Sequence, residues 1–269
     1  MKMSNNFKLD WLQRRMSRAR DWVKPQELSL LAVSWNVDSR MTQELDSLFP
    51  TPADLVFVGL QEVTMATEAF MVQDSLLEEQ WNMAIATALG RAQPIVKYCL
   101  VQSKLLVGLY AVLFAREDLA GCLSQVQAVS AACGLMGMVA NKGAVAIGLK
   151  VQQTPLILIS SHLAAHFENV KRRNQDYALI RRSLTFSEQR VGSPKLMEAL
   201  STLYPGPFNL DYPDAAITVW LGDLNYRIAL PGEEVRALVT TAPNEALLHL
   251  DQLNHEREQG RAFADFLEA

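Results

Sequence analysis

The segment LILISSH at 156–162 runs directly into LAAHFENVKRRNQDYALI at 163–180, and this junction decides the fold class. The first part is short, apolar and rich in β-branched residues, which is typical of a buried strand. Apolar residues in the second part recur at helical spacing, so we predict a strand over Leu156–Ser161 and a helix over Phe167–Leu184. A strand followed by an amphipathic helix indicates an α/β domain.

The same alternation continues along the chain. Apolar runs predict further strands at Leu30–Trp35, Leu55–Leu60, Leu105–Phe114, Ala144–Lys150 and Ile217–Leu221. Helical spacing predicts helices at Leu76–Leu89, Pro194–Leu203, Glu233–Thr240 and Asn244–Leu253, with a last one from His255 onward. Because strands and helices are interleaved, we expect helices that cover sheets within one domain.

Composition narrows the class of protein. The 269 residues are 49% hydrophobic and 20% charged, which excludes a disordered chain. Three cysteines without metal-ligand spacing are typical of reduced thiols in a cytosolic protein. A net charge of −4 argues against a general nucleic-acid binder. With no signal-peptide core and no apolar run long enough to span a bilayer, we expect a cytoplasmic protein with no obligate oligomer evident.

Residues 1–27 differ from the rest of the chain, so we divide it into this basic lead-in and a domain over 28–269. Apolar residues recur at helical spacing, and the basic residues among them include Lys8, Arg14, Arg15, Arg18, Arg20 and Lys24. One interpretation is an interfacial helix that binds anionic lipid. The other, which we favour, is a leading helix docked on the domain, because basic solvated faces are common on ordinary helices.

Polar side chains with complementary chemistry follow four of the predicted strands: Asn36, Glu62, His162 and Asp223. Ligand sites in α/β sheets lie at such strand ends. With Asn225, the set offers hard oxygen ligands, which suit Mg²⁺ and a bound phosphate. Zinc would require clustered His or Cys, and the sequence has no such cluster. We therefore favour a metal-phosphate site.

Two further segments carry candidate functional residues. GLMGMVANKG (134–143) holds Lys142 and is either a plain turn or a loop whose N–H groups bind phosphate; it is not a Walker A loop. In the helix after His162, Asn174 falls on the apolar stripe and must find hydrogen-bond partners, so we expect it to brace a neighbouring loop. We interpret Lys171, Arg172 and Arg173 as a solvated face.

Taken together, six segments resemble the inositol polyphosphate 5-phosphatases of the endonuclease/exonuclease/phosphatase superfamily, closest to the branch with the synaptojanins and the Lowe-syndrome-type enzymes. They occur in the family's order: WNVDSR (35–40), DLVFVGLQEV (54–63), LVGLYAVLF (106–114), GLMGMVANKGAVAIGL (134–149), SSHLAAHFENVKRRNQDY (160–177) and WLGDLNYRI (220–228). The resemblance covers the chain from about Leu28 onward. It implies a four-layer α/β sandwich of the DNase I-like type.

The resemblance also implies a reaction and a role for each residue. The reaction is Mg²⁺-dependent removal of the 5-phosphate from a phosphoinositide at the cytosolic membrane surface, where the protein would bind peripherally, or from a soluble inositol polyphosphate. The implied roles are metal binding for Glu62, supported by Asn36; phosphate binding and water activation for His162, Asp223 and Asn225; contacts to other substrate phosphates for Asn141 and Lys142; and support of the site by His166 and Asn174.

The sequence departs from the family at several places. Asp38 stands where the family usually has Asn, and Met138 stands where it often has a basic or polar residue. After Asp223 there is neither the Trp-Cys-Asp-Arg motif nor the Asp-His pair, since His249 and His255 follow Leu248 and Asn254. We therefore expect a domain without its C-terminal strands. Two hypotheses follow: an active 5-phosphatase, or an inactive fragment or binding remnant. A Mg²⁺-dependent nuclease is a third and less favoured alternative.

Overall fold

Two four-stranded sheets form the centre of the part of the chain that a computed structural model describes, residues 27–41, 44–64, 71–133, 142–152, 154–186, 217–241 and 245–268. The first sheet has the order β1-β2-β4-β3, with β1 Leu30–Asn36, β2 Leu55–Gln61, β3 Tyr98–Leu106 and β4 Leu109–Arg116. The second has the order β5-β6-β7-β8, with β5 Leu123–Ala132, β6 Gly143–Val151, β7 Thr154–His162 and β8 Ile217–Asp223.

The main core lies between the two sheets. Phe57 and Leu113 of the first sheet pack in one cluster with Ile147 and Leu158 of the second, and all four side chains are fully buried. Strands β2, β4, β6 and β7 are covered on both faces, which explains why they read as continuous apolar runs in the sequence.

Helices cover the outer faces of both sheets. The described helices are α1 Met71–Ala92, α2 Val170–Ser183, α3 Gly232–Thr241, α4 Glu245–Leu248 and α5 Gln252–Glu258, with 3₁₀ turns at Leu45–Leu48 and Glu117–Cys122, and α1 and α2 are the ones that cover the sheets. Helix α1 packs on the first sheet through Trp81 and Ile85, and α2 packs on the second through Tyr177 and Ile180. The order helix, sheet, sheet, helix confirms the predicted α/β sandwich. Within the described ranges no helix has the length and apolarity that a membrane crossing requires.

The structure corrects several predicted elements. Leu105–Phe114 is not one strand, because the chain reverses at Val107, which has a φ of 50°, and Gly108. The edge strands β3 and β5 were missed, since they are largely half-buried and their polar residues interrupt the apolar pattern. The predicted helix Asn244–Leu253 is divided: Asp251 accepts a hydrogen bond from the Leu253 N–H and so begins α5.

The chain after α5 is not helical, contrary to the prediction of a helix from His255 to the end. It turns at Gly260, which has a φ of 68°, and places Phe263 against Tyr177 and Trp220, at ring-centroid distances of 4.2 and 5.0 Å. The burial of these aromatic rings against the second sheet outweighs the local helical periodicity. The predicted helix Pro194–Leu203 and the lead-in over 1–26 lie outside the described residues.

Strand direction brings the polar strand ends together. β1 is parallel to β2 with Asn36 beside Gln61, and β7 is parallel to β8 with His162 beside Asp223. The carboxyl ends of both pairs therefore lie at one end of the sandwich, where the candidate site forms.

Candidate active site

His162 is at the centre of the site. It ends β7, and its side chain is only 2% exposed. Its Nε2 lies 3.4 Å from Asp223 Oδ2 and 3.9 Å from Glu62 Oε1. Lys142, directly before β6, places its Nζ 2.6 Å from the same ring nitrogen. Two carboxylates and one ammonium thus meet at one buried imidazole. Three of these groups, Glu62, His162 and Asp223, follow predicted strands, and Lys142 comes from the segment before β6.

The charged groups at this site shift the pKa values of Asp223 and Lys142. Hydrogen bonding to His162 is the largest cause that lowers the pKa of Asp223, and a hydrogen bond to Asn36 adds to it, while burial opposes both. Burial lowers the pKa of Lys142, and the nearby Glu62 and Asp223 partly offset this effect. Asp223 is therefore a carboxylate at neutral pH, able to accept a hydrogen bond from a water molecule.

Two of the candidate residues have left-handed backbone conformations. Glu62 and Asn225 each have a φ of 57°, although neither is glycine. The Glu62 carbonyl accepts hydrogen bonds from the Ser39 N–H at 2.7 Å and the Ser39 hydroxyl at 3.2 Å. Such strain persists where surrounding contacts hold it and is concentrated at functional sites. It turns the side chain after β2 away from the strand direction.

Both polar atoms of the Asn225 side-chain amide form hydrogen bonds. Its Nδ2 donates to the Leu163 carbonyl at 3.1 Å, and its Oδ1 accepts from Arg227 at 2.6 Å. The Asn225 N–H donates to Asp223 Oδ1 at 3.1 Å. These bonds join the loops after β7 and β8. The contact of Asn225 with a phosphoryl oxygen stays a prediction.

Asn174 braces a neighbouring loop, as its place on the apolar stripe predicted. Its Oδ1 accepts from the Tyr226 hydroxyl at 2.6 Å, and its Nδ2 donates to Glu256 at 2.5 Å. Glu256 belongs to α5 and is 5% exposed. Asn174 thereby links α2, the segment after β8 and α5, but whether it supports catalysis stays a prediction.

The interpretation of Lys171, Arg172 and Arg173 as a solvated face was wrong for Arg173, whereas Lys171 and Arg172 are exposed. Arg173 is fully buried and donates to the carbonyls of Ala164 and His166 at 3.1 and 2.6 Å. Arg172 donates to the Asp176 carboxylate. The spacing of the helix could have indicated that Arg173 is buried, because Arg173 precedes Tyr177 by four residues and so lies on the same buried face.

The remaining predicted residues contribute less to the described geometry. Asn36 is exposed and reaches Asp223, and its Oδ1 also accepts from the Asp38 N–H at 3.1 Å. His166 is exposed, has a φ of 75° and contributes its carbonyl to Arg173. Asn141 and Met138 lie outside the described residues.

The oxygen donors at the site fit a hard divalent cation. Glu62 and Asp223 are 30% and 31% exposed and face the same edge of the His162 ring. Mg²⁺ takes one or two protein carboxylates and completes its shell with water and substrate phosphate. Within the described ranges there is no group of three or more His, Cys, Asp and Glu side chains that could hold a metal. Glu62 and Asp223, with the Asn36 amide, are the donors present.

Known proteins resemble this chain over nearly its whole length. The profile of Endonuclease/Exonuclease/phosphatase family 2 matches residues 33–269. The type II inositol 1,4,5-trisphosphate 5-phosphatase of Mus musculus is 34% identical over 216 residues, covering 80% of this chain and 20% of that protein. Synaptojanin-1 of Homo sapiens is 31% identical over 227 residues, covering 84% of this chain and 13% of that protein. The chain thus spans a small part of these relatives.

A solved structure shares the fold. It is the inositol polyphosphate 5-phosphatase domain of SPsynaptojanin in complex with inositol (1,4)-bisphosphate and calcium ion. The TM-score is 0.77 at 27% sequence identity, and the match covers 94% of this chain and 69% of that chain. The two-sheet α/β architecture is therefore that of the DNase I-like phosphatase domain.

Proposed function

Since the chain belongs to Endonuclease/Exonuclease/phosphatase family 2, we propose that it is a Mg²⁺-dependent phosphomonoesterase that acts on inositol phosphates. It removes the 5-phosphate from a phosphoinositide such as phosphatidylinositol 4,5-bisphosphate, or from a soluble inositol polyphosphate. The observation that carries the proposal is the meeting of Glu62, Asp223 and Lys142 at the His162 ring. Relatives whose names state 5-phosphatase activity toward inositol phosphates support the substrate class.

A bound Mg²⁺, held by Glu62 with support from Asn36, would neutralise charge on the phosphoryl oxygens. The other contributions to catalysis come from the chain's own residues. Hydrolysis of a phosphomonoester requires positioning and charge stabilisation rather than a covalent intermediate. The Asp223 carboxylate, with its lowered pKa, accepts a hydrogen bond from the attacking water and takes its proton.

His162 and Lys142 bind the anionic substrate. The buried imidazole forms a hydrogen bond with a phosphoryl oxygen, and the Lys142 ammonium, which donates to the His162 ring nitrogen 2.6 Å away, supplies a positive charge beside it. Asn225 completes the phosphate contacts, and Asn141 with Lys142 binds a second phosphate of the inositol ring. Lipid substrates would place the protein peripherally at the cytosolic membrane surface, so the proposed location is cytoplasmic.

A second candidate function is binding of inositol phosphates without turnover. Its support is the pair of Lys142 and the buried His162, which lie 2.6 Å apart and can bind an anionic phosphate without a base. In this case the site residues bind the ligand, while hydrolysis is slower by orders of magnitude.

The test is phosphate release from vesicles of phosphatidylinositol 4,5-bisphosphate and from inositol 1,4,5-trisphosphate, with Mg²⁺ and with EDTA. We expect Asp223→Asn to lower kcat about 10³-fold, since it removes the base that accepts the water proton. The control is Asp118→Asn, an exposed carboxylate outside the site that pairs with Arg116. We expect it to change kcat less than about twofold.

Each outcome identifies one function. Release that EDTA and Asp223→Asn both abolish supports the phosphatase. Binding of inositol 1,4,5-trisphosphate without release of its 5-phosphate supports the second candidate. Release that neither treatment changes, or nicking of plasmid DNA with Mg²⁺, would show that the proposal is wrong.

A further inference from the structure

Arg172 joins two parts of the molecule that lie on either side of the site. It stands on α2 with its side chain 46% exposed. Its Nε donates to Asp176 Oδ1 at 3.0 Å, and its Nη2 donates to the Cys133 carbonyl at 2.5 Å. The planar guanidinium can donate in both directions at once, which a lysine ammonium on a flexible stem does less well. Arg172 therefore ties the end of β5 to α2.

Cys133 carries this connection to Lys142. The Cys133 N–H donates to the Lys142 carbonyl at 2.9 Å, next to the last β5–β6 pair, Ala132 with Gly143. The Cys133 thiol is 3% exposed and lies 3.8 Å from the Asp176 carbonyl. The backbone of Lys142 is thus one hydrogen bond away from a residue that α2 holds in place.

Asp176 carries the second connection, to the loop after His162. Its side chain is 2% exposed, and its Oδ2 accepts from the Ala164 N–H at 3.1 Å. One ion pair on one turn of α2 therefore sets the position of the Lys142 strand and of the segment that follows His162. The two segments that are held in this way carry Lys142 and His162, whose Nζ and Nε2 atoms lie 2.6 Å apart.

We propose that Arg172 is a positioning residue for inositol phosphate binding, which acts through Cys133 to hold the Lys142 ammonium beside His162. This inference rests on the proposed function. Arg172 itself does not touch the substrate. Its removal leaves the Cys133 carbonyl and the buried Asp176 carboxylate without their shared donor, so the end of β5 shifts and Lys142 moves with it.

The first measurement is binding of inositol 1,4-bisphosphate with Ca²⁺, by titration calorimetry, to the whole chain. We expect Arg172→Ala to raise Kd about tenfold, and Arg172→Lys to raise it several-fold although the charge is kept. Lys171→Ala, which removes a neighbouring exposed charge from the same helix, is the matched control and should leave Kd within about twofold.

A double-mutant cycle separates positioning from general loss of structure. If Arg172 acts through Lys142, then Arg172→Ala adds little to the rise in Kd that Lys142→Ala already causes. A merely structural role would lower the fraction of folded protein and leave Kd of the folded fraction unchanged. Additive effects of the two substitutions on Kd would therefore overturn the inference.

Alkylation of Cys133 by iodoacetamide, read by mass spectrometry, tests the contact without any ligand. We expect Cys133 to react about tenfold faster in Arg172→Ala than in the wild type, with the half-buried Cys122 as internal reference. An unchanged rate overturns the inference, as does a faster rate with wild-type Kd. A wild-type chain that neither releases phosphate nor binds inositol 1,4-bisphosphate overturns the proposed function and the ligand role of Arg172 with it. If the wild type binds inositol 1,4-bisphosphate and Arg172→Ala leaves this Kd unchanged, the result overturns this inference alone.

Discussion

At the scale of single residues, the site depends on unusual backbone conformations. Gly222 immediately precedes Asp223 and has a φ of 135°, a value that residues with a side chain rarely adopt. A Cβ atom at this position would lie 1.9 Å from the Ser161 carbonyl oxygen, on the neighbouring strand β7. Glycine here allows β8 to stay paired with β7 up to the residue that carries the proposed base.

We expect Gly222→Ala to destabilise the protein by about 3 kcal/mol or more, because backbone strain and a clash with main-chain atoms add together. Urea unfolding followed by circular dichroism measures this change. Activity should fall as well, since any relief of the clash separates His162 from Asp223.

Gly232→Ala is the control for this prediction. Gly232 begins α3, and a Cβ atom there has no neighbour within 4 Å. Alanine lowers the entropy of the unfolded chain, so this variant should be equal to the wild type or up to about 1 kcal/mol more stable. Equal unfolding free energies for the two variants would contradict the steric explanation.

At the scale of elements, α2 and α5 are joined through a buried carboxylate. Glu256 accepts hydrogen bonds from Arg261 at 2.5 and 2.7 Å and from Asn174 at 2.5 Å. The bonds from Arg261 are the largest cause that lowers the pKa of Glu256, and the bond from Asn174 adds to it. A carboxyl group whose pKa is lowered by folding stabilises the folded state above its unfolded pKa of about 4.3, and this contribution is lost as the pH falls.

We expect Glu256→Gln to cost about 2 kcal/mol at pH 7, because neutral glutamine makes weaker hydrogen bonds to Arg261. The difference from the wild type should become smaller below about pH 4, where Glu256 of the unfolded chain becomes protonated, and should vanish only below the lowered pKa of Glu256 in the folded state. Urea unfolding at pH 7 and at pH 3.5 measures both values.

Glu258→Gln on the same helix is the matched control, since Glu258 is exposed. It should change the free energy of unfolding by less than about 0.5 kcal/mol at either pH. A pH-independent cost of Glu256→Gln would contradict the charge-based explanation and would indicate a packing effect.

At the scale of the whole molecule, the two sheets approach closely near the site. A Cβ atom on Gly59 of β2 would lie 2.3 Å from Ser160 Oγ on β7 and 2.6 Å from Leu221 on β8. The buried Gln61 side chain, 1% exposed, bridges the sheets through a bond to Ser160 at 3.4 Å. This close packing is what brings Glu62 from one sheet near His162 and Asp223 from the other.

The core between the sheets should therefore be the main source of stability. Phe57 is fully buried there, and we expect Phe57→Ala to cost about 4 kcal/mol through lost burial and a residual cavity. Phe167→Ala removes the same atoms from a side chain that is 51% exposed and should cost less than about 1 kcal/mol. Thermal unfolding of both variants measures the difference, and similar losses would show that the core between the sheets is not the main source of stability.

The sequence alone determined the α/β class, most strands and the residues that end them. Period-two and period-3.6 patterns report which residues face a core, and polar residues after apolar strands mark a sheet edge. The segments 156–162 and 217–223 show this directly, since each strand lies where the pattern predicted and each ends in a candidate site residue. Family resemblance then supplied the roles that spacing could not supply.

Only the tertiary structure decided which strand ends meet and which charged residues are buried. Glu62 and His162 are 100 residues apart in the chain, and their contact depends on the packing of two sheets. Local pattern also placed Arg173 in solvent, whereas it is fully buried and donates to the carbonyls of Ala164 and His166 after β7. A sequence pattern reports the average polarity of a helix face. The cost of burying a guanidinium is offset only by acceptors from distant segments, which become neighbours when the chain folds.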